Sequence, residues 1–300
     1  QSRPATAEVR GHRNAVFSRE QSRQRALFPR IEKIEVQMQG PGLDGTLLIM
    51  NKGMSTPLSC ARHLTEYHVN NSVLALVDDE LWPLHKPLTD SCSLRLLTFK
   101  DDDPTPVNQA YWRSCSALLG QVLETAFKDD FAVELLDSPE VPVTSGAFCC
   151  DVVLDPQLDS WTPSEETLRS LTRGALLLIH QDLAFEPLDV LPSVALEVFS
   201  HSRSMEEEVE KAASESPRGT VQLYRCGDHV LLSSGPLISR TGLCSQFEVT
   251  AFHSLGGLSL PLQLQAHHTV WRKLRKRAEK LVVVPDSSAT PPPPPAPSSQ

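Results

Sequence analysis

The sequence predicts an α+β protein with two globular units, and three observations lead to this expectation. Short stretches in which apolar and polar residues alternate, typical of half-buried strands, are interspersed with longer stretches of helical periodicity along residues 31–266. An acidic, proline-containing stretch at residues 101–106 interrupts this pattern. Apolar residues make up 40% of the 300 residues, which is enough to form two cores.

Residues 31–100 are predicted to form the first unit. Ile34 and Val36 alternate with polar residues, which indicates a strand with one buried face. Thr56 followed by Pro57 is typical of a helix N-cap and first helical residue. Two strands, a crossover helix and further short strands make a β-grasp-like pattern. The remaining elements that we expect here are a turn at 41–45, strands at 46–50, 73–77 and 94–99, and a helix that ends near residue 67.

Residues 101–108 are predicted to be an acidic linker, because three consecutive aspartates and two prolines favour a solvated segment. A helix is expected to follow from about residue 109 to residue 127. Its apolar side chains recur every three or four residues and would form one buried face. These side chains are Tyr111, Cys115, Leu118, Leu119, Val122, Leu123 and Phe127.

The second unit is expected to span residues 109–266 and to mix helices with strands. Thr162, Pro163 and Glu165 are spaced as in a capping box with proline at the first helical position, so a helix should run from there to about residue 180. A glutamate-rich surface helix is predicted at 205–214. Strands are predicted at 131–135, 148–154, 221–225, 229–232, 247–252 and 258–265.

The two ends of the chain are basic, whereas the body between them is acidic. Residues 1–30 contain seven arginines and two glutamates, and residues 31–266 carry a net charge of −18. Because residues 1–30 lack hydrophobic periodicity, we expect a basic extension that is irregular or disordered, or that becomes ordered on RNA phosphates. Its arginine-rich composition is also typical of a mitochondrial presequence.

Residues 267–284 are predicted to form a basic helix, and residues 285–300 a proline-rich, disordered tail. Lysine and arginine cover more than one face of this helix. Contact with phosphates accounts for so much charge of one sign better than a solvated face or a membrane surface does. The residues expected to bind RNA are Arg10, Arg13, Arg19, Arg23, Arg25, Arg30, Arg272, Lys273, Arg275, Lys276, Arg277 and Lys280.

Composition also excludes several classes of protein. The longest apolar run, residues 175–179, is too short to span a membrane. Seven cysteines, an odd number, argue against a disulfide scaffold. Aromatic residues are only 6% of the chain, which argues against a protein that binds mainly by stacking on bases. The sequence contains neither of the common glycine-rich nucleotide-binding motifs.

Three segments near residue 100 resemble the amino-terminal TGS domain of threonyl-tRNA synthetases. They are residues 77–84 (VDDELWPL), residues 86–88 (KPL) and residues 94–99 (LRLLTF), and they occur in the order found at the end of that domain. The resemblance implies a TGS-like β-grasp fold for the first unit.

Later segments resemble the editing domain of the same enzymes. Residues 111–120 (YWRSCSALLG) are similar to its opening helix, and residues 224–227 (YRCG), 235–236 (GP) and 240–242 (RTG) are similar to the segment that closes the editing cleft. Together with the TGS-like segments, the resemblance extends over roughly residues 31–265. It implies an α+β, editing-like fold for the second unit.

The resemblance also implies that the editing site is degenerate. In the family, that site is built on an HxxxH pair and a CxxxH pair, and these positions fall on Arg113, Ala117, Ser233 and Leu237. Alanine and leucine carry no polar atom, serine cannot replace a thiolate, and a protonated arginine cannot bind a cation. We therefore expect no catalytic residue, no metal, no cofactor and no small-molecule substrate.

Other chemistry-bearing residues have simpler interpretations. Cys226 and His229 have zinc-ligand spacing but make only half a site, so we expect a packed cysteine and a histidine that is either at the surface or satisfied by hydrogen bonds. Cys149 and Cys150 point to opposite faces of a strand and are predicted core residues. The pair at residues 267–268 could stack or bind phosphate, although the start of the basic helix is the preferred interpretation.

A synthetase-like body, an inactive editing site and added basic ends resemble a family of large-subunit proteins of the mitochondrial ribosome. That resemblance implies a non-enzymatic protein in the mitochondrial matrix, with ribosomal RNA and neighbouring ribosomal proteins as partners. Two alternatives remain at this point. One is a freestanding deacylase that removes mischarged amino acids from tRNA, and the other is a TGS-type RNA-binding regulator outside the ribosome.

Overall fold

The computed structural model describes residues 4–136, 141–254 and 262–268. Within these residues the backbone forms seven α-helices and three β-sheets with five, three and four strands. The α+β class expected from the sequence is confirmed. Among the described residues, none of the helices is long and apolar enough to cross a membrane.

The chain begins with helix α1, Thr6–Arg25, so the prediction of an irregular arm is wrong. Its buried residues recur at helical spacing, but half of them are polar: Val9, Val16 and Phe17 alternate along the buried face with Thr6, Arg13 and Glu20. A face of this composition shows no hydrophobic periodicity in the sequence. The helix is instead stabilised by packing and ion pairs with distant parts of the chain.

The five-stranded sheet has the strand order β2-β1-β5-β3-β4, and β1 is parallel to β5 while the other pairs are antiparallel. Strand β4 was not predicted, because it has only three residues and follows the two-residue turn Asp78–Asp79, where both residues have positive φ. The strands are β1 (Lys33–Gln39), β2 (Leu47–Asn51), β3 (Leu74–Val77), β4 (Glu80–Trp82) and β5 (Cys92–Leu97).

Two short helices lie between β2 and β3, where one helix was expected. Helix α2, Pro57–Arg62, begins as predicted with Thr56 as N-cap, and its hydroxyl accepts the amide N–H of Ser59. The chain then adopts an extended conformation at Thr65 before helix α3, Glu66–Asn71. That extended residue breaks the helix, because its backbone cannot continue the α-helical hydrogen-bond pattern.

Helix α4, Thr105–Glu124, begins four residues before the predicted start and ends three residues before the predicted end. Asp103 accepts the amide N–H of Thr105 at 3.1 Å, so the acidic segment caps the helix as well as connecting it to β5. The predicted apolar face is buried from Tyr111 to Leu123.

The remaining strands form two sheets. The three-stranded sheet has the order β10-β9-β8, and the four-stranded sheet has the order β11-β12-β7-β6. Strand β8 was not predicted because it contains Pro187, which an edge strand tolerates. The strands are β6 (Val133–Leu135), β7 (Ala147–Leu154), β8 (Glu186–Val190), β9 (Val221–Cys226), β10 (His229–Leu232), β11 (Phe247–Ser254) and β12 (Leu262–His268).

Three helices accompany these sheets. Helix α5, Glu165–Gln181, has its N-cap at Ser164, two residues after the predicted cap Thr162, because Ser164 and Thr167 exchange side-chain-to-backbone hydrogen bonds in a capping box. Helix α6, Pro192–Val198, was missed since seven residues are too few to show a period. Helix α7, Arg203–Glu215, matches the predicted surface helix.

The C-terminal prediction needs correction at its first two residues. His267 and His268 lie on β12 and not at the start of a helix, and the ring of His268 stacks on Trp112 with a centroid distance of 6.1 Å. The rest of the predicted basic helix, residues 269–284, and the tail at 285–300 lie outside the described residues.

The five-stranded sheet and the rest of the chain share a core. Val73, Leu74 and Leu97 belong to the same buried cluster as the apolar face of α4 and the inner face of the four-stranded sheet. Polar contacts support this packing: His85 Nε2 lies 2.9 Å from the carbonyl oxygen of Ser239, and Lys86 Nζ lies 2.5 Å from a carboxylate oxygen of Asp189. A cut in the linker would therefore leave the two parts in contact.

Candidate functional site: a cleft between the three-stranded and four-stranded sheets

The four positions singled out by the resemblance lie in a single cleft of about 1070 Å³. Arg113 and Ala117 are one turn apart on α4, and Ser233 and Leu237 belong to the segment that follows β10. Residues 116 to 124 positions apart in the sequence thus face one space. The fold gathers the motif positions even though the motif side chains are missing.

The two long walls of this cleft differ in character. One wall is apolar and consists of α4 and β7, with Trp112, Phe148 and Cys150 among its residues. The other wall is formed by α7 and β9, where Glu208 and Lys211 are 3.5 Å apart. The cleft is large enough for a segment of a polymer chain. The charged side chains that line it are both positive and negative.

None of the four motif positions provides acid–base or metal chemistry. The Arg113 guanidinium donates to the carbonyl oxygen of Pro236, and the Ser233 hydroxyl donates to the carbonyl oxygen of Gly235 at 2.7 Å. Leu237 is buried, and a guanidinium stays protonated at neutral pH. In the part of the chain that the structure describes, no three histidine, cysteine or acidic side chains are grouped to hold a metal.

A buried charge network forms the far end of the cleft. The Glu124 carboxylate accepts a hydrogen bond from Arg13 NH1 at 2.8 Å and another from His229 Nδ1 at 2.6 Å. Arg13 NH2 also donates to His201 Nε2 at 2.8 Å. Only 1% of Glu124 and 4% of Arg13 are exposed. Helix α1 is therefore joined to α4 and β10 inside the protein.

Electrostatics keep the buried Glu124 carboxylate ionised. Burial alone would raise the pKa of Glu124, but the His229 and Arg13 partners outweigh it and lower the pKa to about 2. Burial, with help from the nearby Arg13 charge, lowers the pKa of His201 to about 4. Both groups bind fewer protons in the folded chain than in the unfolded chain at mildly acidic pH. Acid therefore favours the unfolded chain.

Acidification is expected to lower the melting temperature in two windows. Between about pH 6.5 and pH 4 the unfolded chain protonates His201 while the folded chain does not, and between about pH 4.5 and pH 2 the same holds for Glu124. We expect His201 to contribute about 1 kcal/mol in the first window, since solvent screens part of the interaction. His201→Gln should flatten the dependence of melting temperature on pH between 6.5 and 4.5. Equal slopes for both proteins would contradict this assignment.

The N-terminal arginines have partners within the chain. Arg10 lies 3.0 Å from Asp129 and 3.3 Å from Asp228, Arg19 lies 2.5 Å from Glu197, and Arg23 lies 2.7 Å from Glu20. Arg13 is buried, so the predicted phosphate contact does not fit its position. Arg25, the last residue of α1, and Arg30, which follows the helix, are exposed. The predicted RNA-binding residues Arg272, Lys273, Arg275, Lys276, Arg277 and Lys280 lie outside the described residues.

The minor candidates behave as the sequence indicated. Cys226 is fully buried, and the buried His229 is satisfied by Glu124, in agreement with a packed cysteine and a satisfied histidine. Cys149 and Cys150 are both buried on β7. Sequence reasoning missed Glu124, because a glutamate at the end of a helix normally indicates an exposed position. The one sign of its burial in the sequence is that Glu124 directly follows Leu123, a residue of the predicted buried face.

Two groups of known proteins are similar to this chain. No protein-family model matches the chain. The chain is 38% identical over 281 residues to the large ribosomal subunit protein mL39 of Drosophila melanogaster. The matched segment is 89% of this chain and 83% of that protein.

The chain is also similar to part of several threonine–tRNA ligases. It is 30% identical over 192 residues to the human cytoplasmic threonine–tRNA ligase 2, and 26% identical over 208 residues to a probable cytoplasmic threonine–tRNA ligase 1 of Dictyostelium discoideum. The matched segments are 63% and 69% of this chain but only 21% and 27% of the two ligases. The chain thus spans about a quarter of the length of these enzymes. The similarity to mL39, in contrast, extends over most of both proteins. The chain therefore belongs to the family of the large ribosomal subunit protein mL39.

Proposed function

We propose that this chain is a non-catalytic structural component of the large subunit of the mitochondrial ribosome, located in the mitochondrial matrix, where it supports mitochondrial translation. The observation that carries this proposal is the 38% identity to mL39 over 89% of the chain. Its partners are ribosomal RNA and neighbouring ribosomal proteins.

Residues 31–100 are proposed to be a TGS-like β-grasp domain and residues 109–266 a degenerate editing-like domain. The segment 101–108 joins them, and its last four residues form the first turn of α4. The strand order β2-β1-β5-β3-β4, with β1 parallel to β5 and two helices between β2 and β3, supports the first assignment. The partial identity to threonine–tRNA ligases and the convergence of the four motif positions in one cleft support the second.

The acidic body is proposed to dock on protein neighbours and the basic ends on RNA. Of the N-terminal arginines, Arg25 and Arg30 are the candidates for phosphate contact, since Arg10, Arg13, Arg19 and Arg23 are paired within the chain. The basic segment 272–280 supplies the other contacts.

Replacing the lysines and arginines of residues 272–280 by glutamine is expected to weaken incorporation into the large subunit. Each lost phosphate contact should reduce the slope of log affinity against log salt by roughly 0.9, because fewer counterions are released on binding. The measurement is the fraction incorporated at several salt concentrations. Arg169→Gln with Arg173→Gln, two exposed arginines paired with acids at the start of α5, is the control and should change nothing. Equal behaviour of both variants would contradict the proposed role of the segment.

The purified full chain is expected to show no hydrolysis of mischarged threonine tRNA and no bound zinc. The reason is that Arg113, Ala117, Ser233 and Leu237 can neither hold a metal-bound hydroxide nor act as a general base. A deacylation assay combined with metal analysis checks this. The partial similarity to the ligases is the reason to test for a deacylase. If the chain hydrolyses the tRNA and Arg113→Ala or Ser233→Ala abolishes this turnover, the deacylase alternative is supported.

Cosedimentation of the native protein with the large subunit in a sucrose gradient tests the central proposal. A ribosomal component should be found with the large subunit at physiological salt. A protein found only in the free fractions, with RNA bound, would support the alternative of a TGS-type RNA-binding regulator and contradict the ribosomal assignment.

A further inference from the structure

One side chain joins α4 to the segment that follows β10. Arg113 projects from α4, and its Nε and NH2 atoms donate to the carbonyl oxygen of Pro236 at 3.4 Å and 3.3 Å. Pro236 belongs to the segment at residues 233–238, which we name the cleft loop and which follows β10. The contact therefore joins the two parts of the chain that carry the two former motif pairs.

The guanidinium also packs flat against the backbone of the cleft loop. A Cβ atom at Gly235 would lie 2.7 Å from Arg113 Cζ, 2.9 Å from NH2 and 3.0 Å from Nε. At separations this short one of the two groups must shift, so a larger side chain at this position would displace the guanidinium. The arginine and the glycine fit each other as a pair, and changing either one should disturb the same contact.

The next two amides of the cleft loop are held by neighbouring side chains. The Leu237 N–H donates to the hydroxyl of Tyr224 at 3.1 Å, and the Ile238 N–H donates to the hydroxyl of Ser114 at 2.9 Å. Ser114 follows Arg113 on α4, and both Tyr224 and Ser114 are fully buried. Three consecutive residues of the cleft loop are thus fixed to α4 and β9, and Arg113 holds Pro236, the least buried of the three.

We infer that Arg113 acts as a strap that holds the cleft loop against α4 and so fixes the width of the cleft. A planar, always-charged donor with a fixed fork can hold a backbone carbonyl and cover a glycine at the same time. In this arrangement the arginine is a positioning residue. At the position where the family has a motif histidine, this chain has a contact between α4 and the cleft loop. This role does not depend on the ribosomal assignment.

Hydrogen exchange of the full chain, followed by mass spectrometry, tests the strap. In Arg113→Ala, the amides of Leu237 and Ile238 should exchange about tenfold faster, the effect of losing hydrogen bonds from a charged donor. Cys150, which is buried on β7 and lines the same cleft, should also react faster with a small thiol reagent. Arg113→Lys keeps the charge but loses the planar fork, so it should resemble Arg113→Ala. Arg169→Ala, at an exposed arginine of α5, is the matched control and should leave both rates unchanged.

Gly235→Ala provides an independent test that keeps the arginine in place. The added methyl group should displace the guanidinium and speed exchange of the same amides. In the Arg113→Ala background the same change should have little further effect, because the clashing group is gone. Exchange rates within twofold of the unsubstituted chain in both single variants would overturn the inference. Effects of the two substitutions that simply add would also overturn it.

Discussion

Arg13→Ala is expected to lower the free energy of unfolding by about 3 kcal/mol at pH 7. Removing one partner of a buried ion pair leaves the other charge buried without compensation, and this is more destabilising than the loss of a surface pair. Glu124 would keep His229 as its one remaining partner in the network, since Arg13 supplies the other hydrogen bond to the carboxylate. Urea denaturation of the full chain measures the change.

Two further variants make this result specific. Arg19→Ala removes an exposed arginine of the same helix, whose partner Glu197 is also exposed, and should leave the midpoint of the urea transition almost unchanged. Glu124→Gln in the Arg13→Ala background should recover part of the lost stability, because a neutral amide needs no opposing charge. Equal losses for Arg13→Ala and Arg19→Ala would show that the buried network does not stabilise the fold.

Phe17→Ala is expected to lower the free energy of unfolding by about 3–5 kcal/mol, the usual loss for a buried aromatic side chain. The Phe17 ring is fully buried in the cluster formed with α6, α7 and the three-stranded sheet. It also lies 4.6 Å from the guanidinium of Arg225, so the substitution removes an ion–aromatic contact as well. The measurement is again a urea transition, with hydrogen exchange of α1 as a second readout.

Ser22→Ala, at an exposed residue of the same helix, is the control for Phe17→Ala. A surface substitution of this kind usually changes stability by less than about 0.5 kcal/mol. If the α1 amides exchange at the same rate in the unsubstituted chain and in Phe17→Ala, the helix is not held by this cluster. A large loss with fast exchange confined to α1 would instead show that α1 is the first element to detach.

The position of α1 changes the meaning of the charge distribution. Read from the sequence, seven arginines ahead of an acidic body indicate an arm for RNA. In the structure, four of those arginines neutralise carboxylates, at Asp129, Glu124, Glu197 and Glu20. The net charge of a segment therefore does not tell how much of that charge faces a partner, because folding can pair it internally.

Local patterns predicted the elements whose signals are local. Alternation in residues 34–37 gave β1, and Thr56 with Pro57 gave the start of α2, because caps and burial alternation are set by near neighbours in the sequence. The same reasoning failed for β4 and α6, which are too short to show a period, and for β8, which contains a proline. Each failure is at an element whose stability comes from its neighbours in space.

The sequence by itself determined the α+β class, the order of most strands and helices, and the residue types at Arg113, Ala117, Ser233 and Leu237. The reason is that residue type alone decides which side chains can bind a metal or move a proton. Only the tertiary structure decided where those positions meet and what the N-terminal arginines do. Arg13 pairs with a glutamate 111 residues later in the sequence, Glu124, and Arg19 pairs with one 178 residues later, Glu197. Pairings over such separations depend on how the sheets pack, and no local pattern in the chain encodes them.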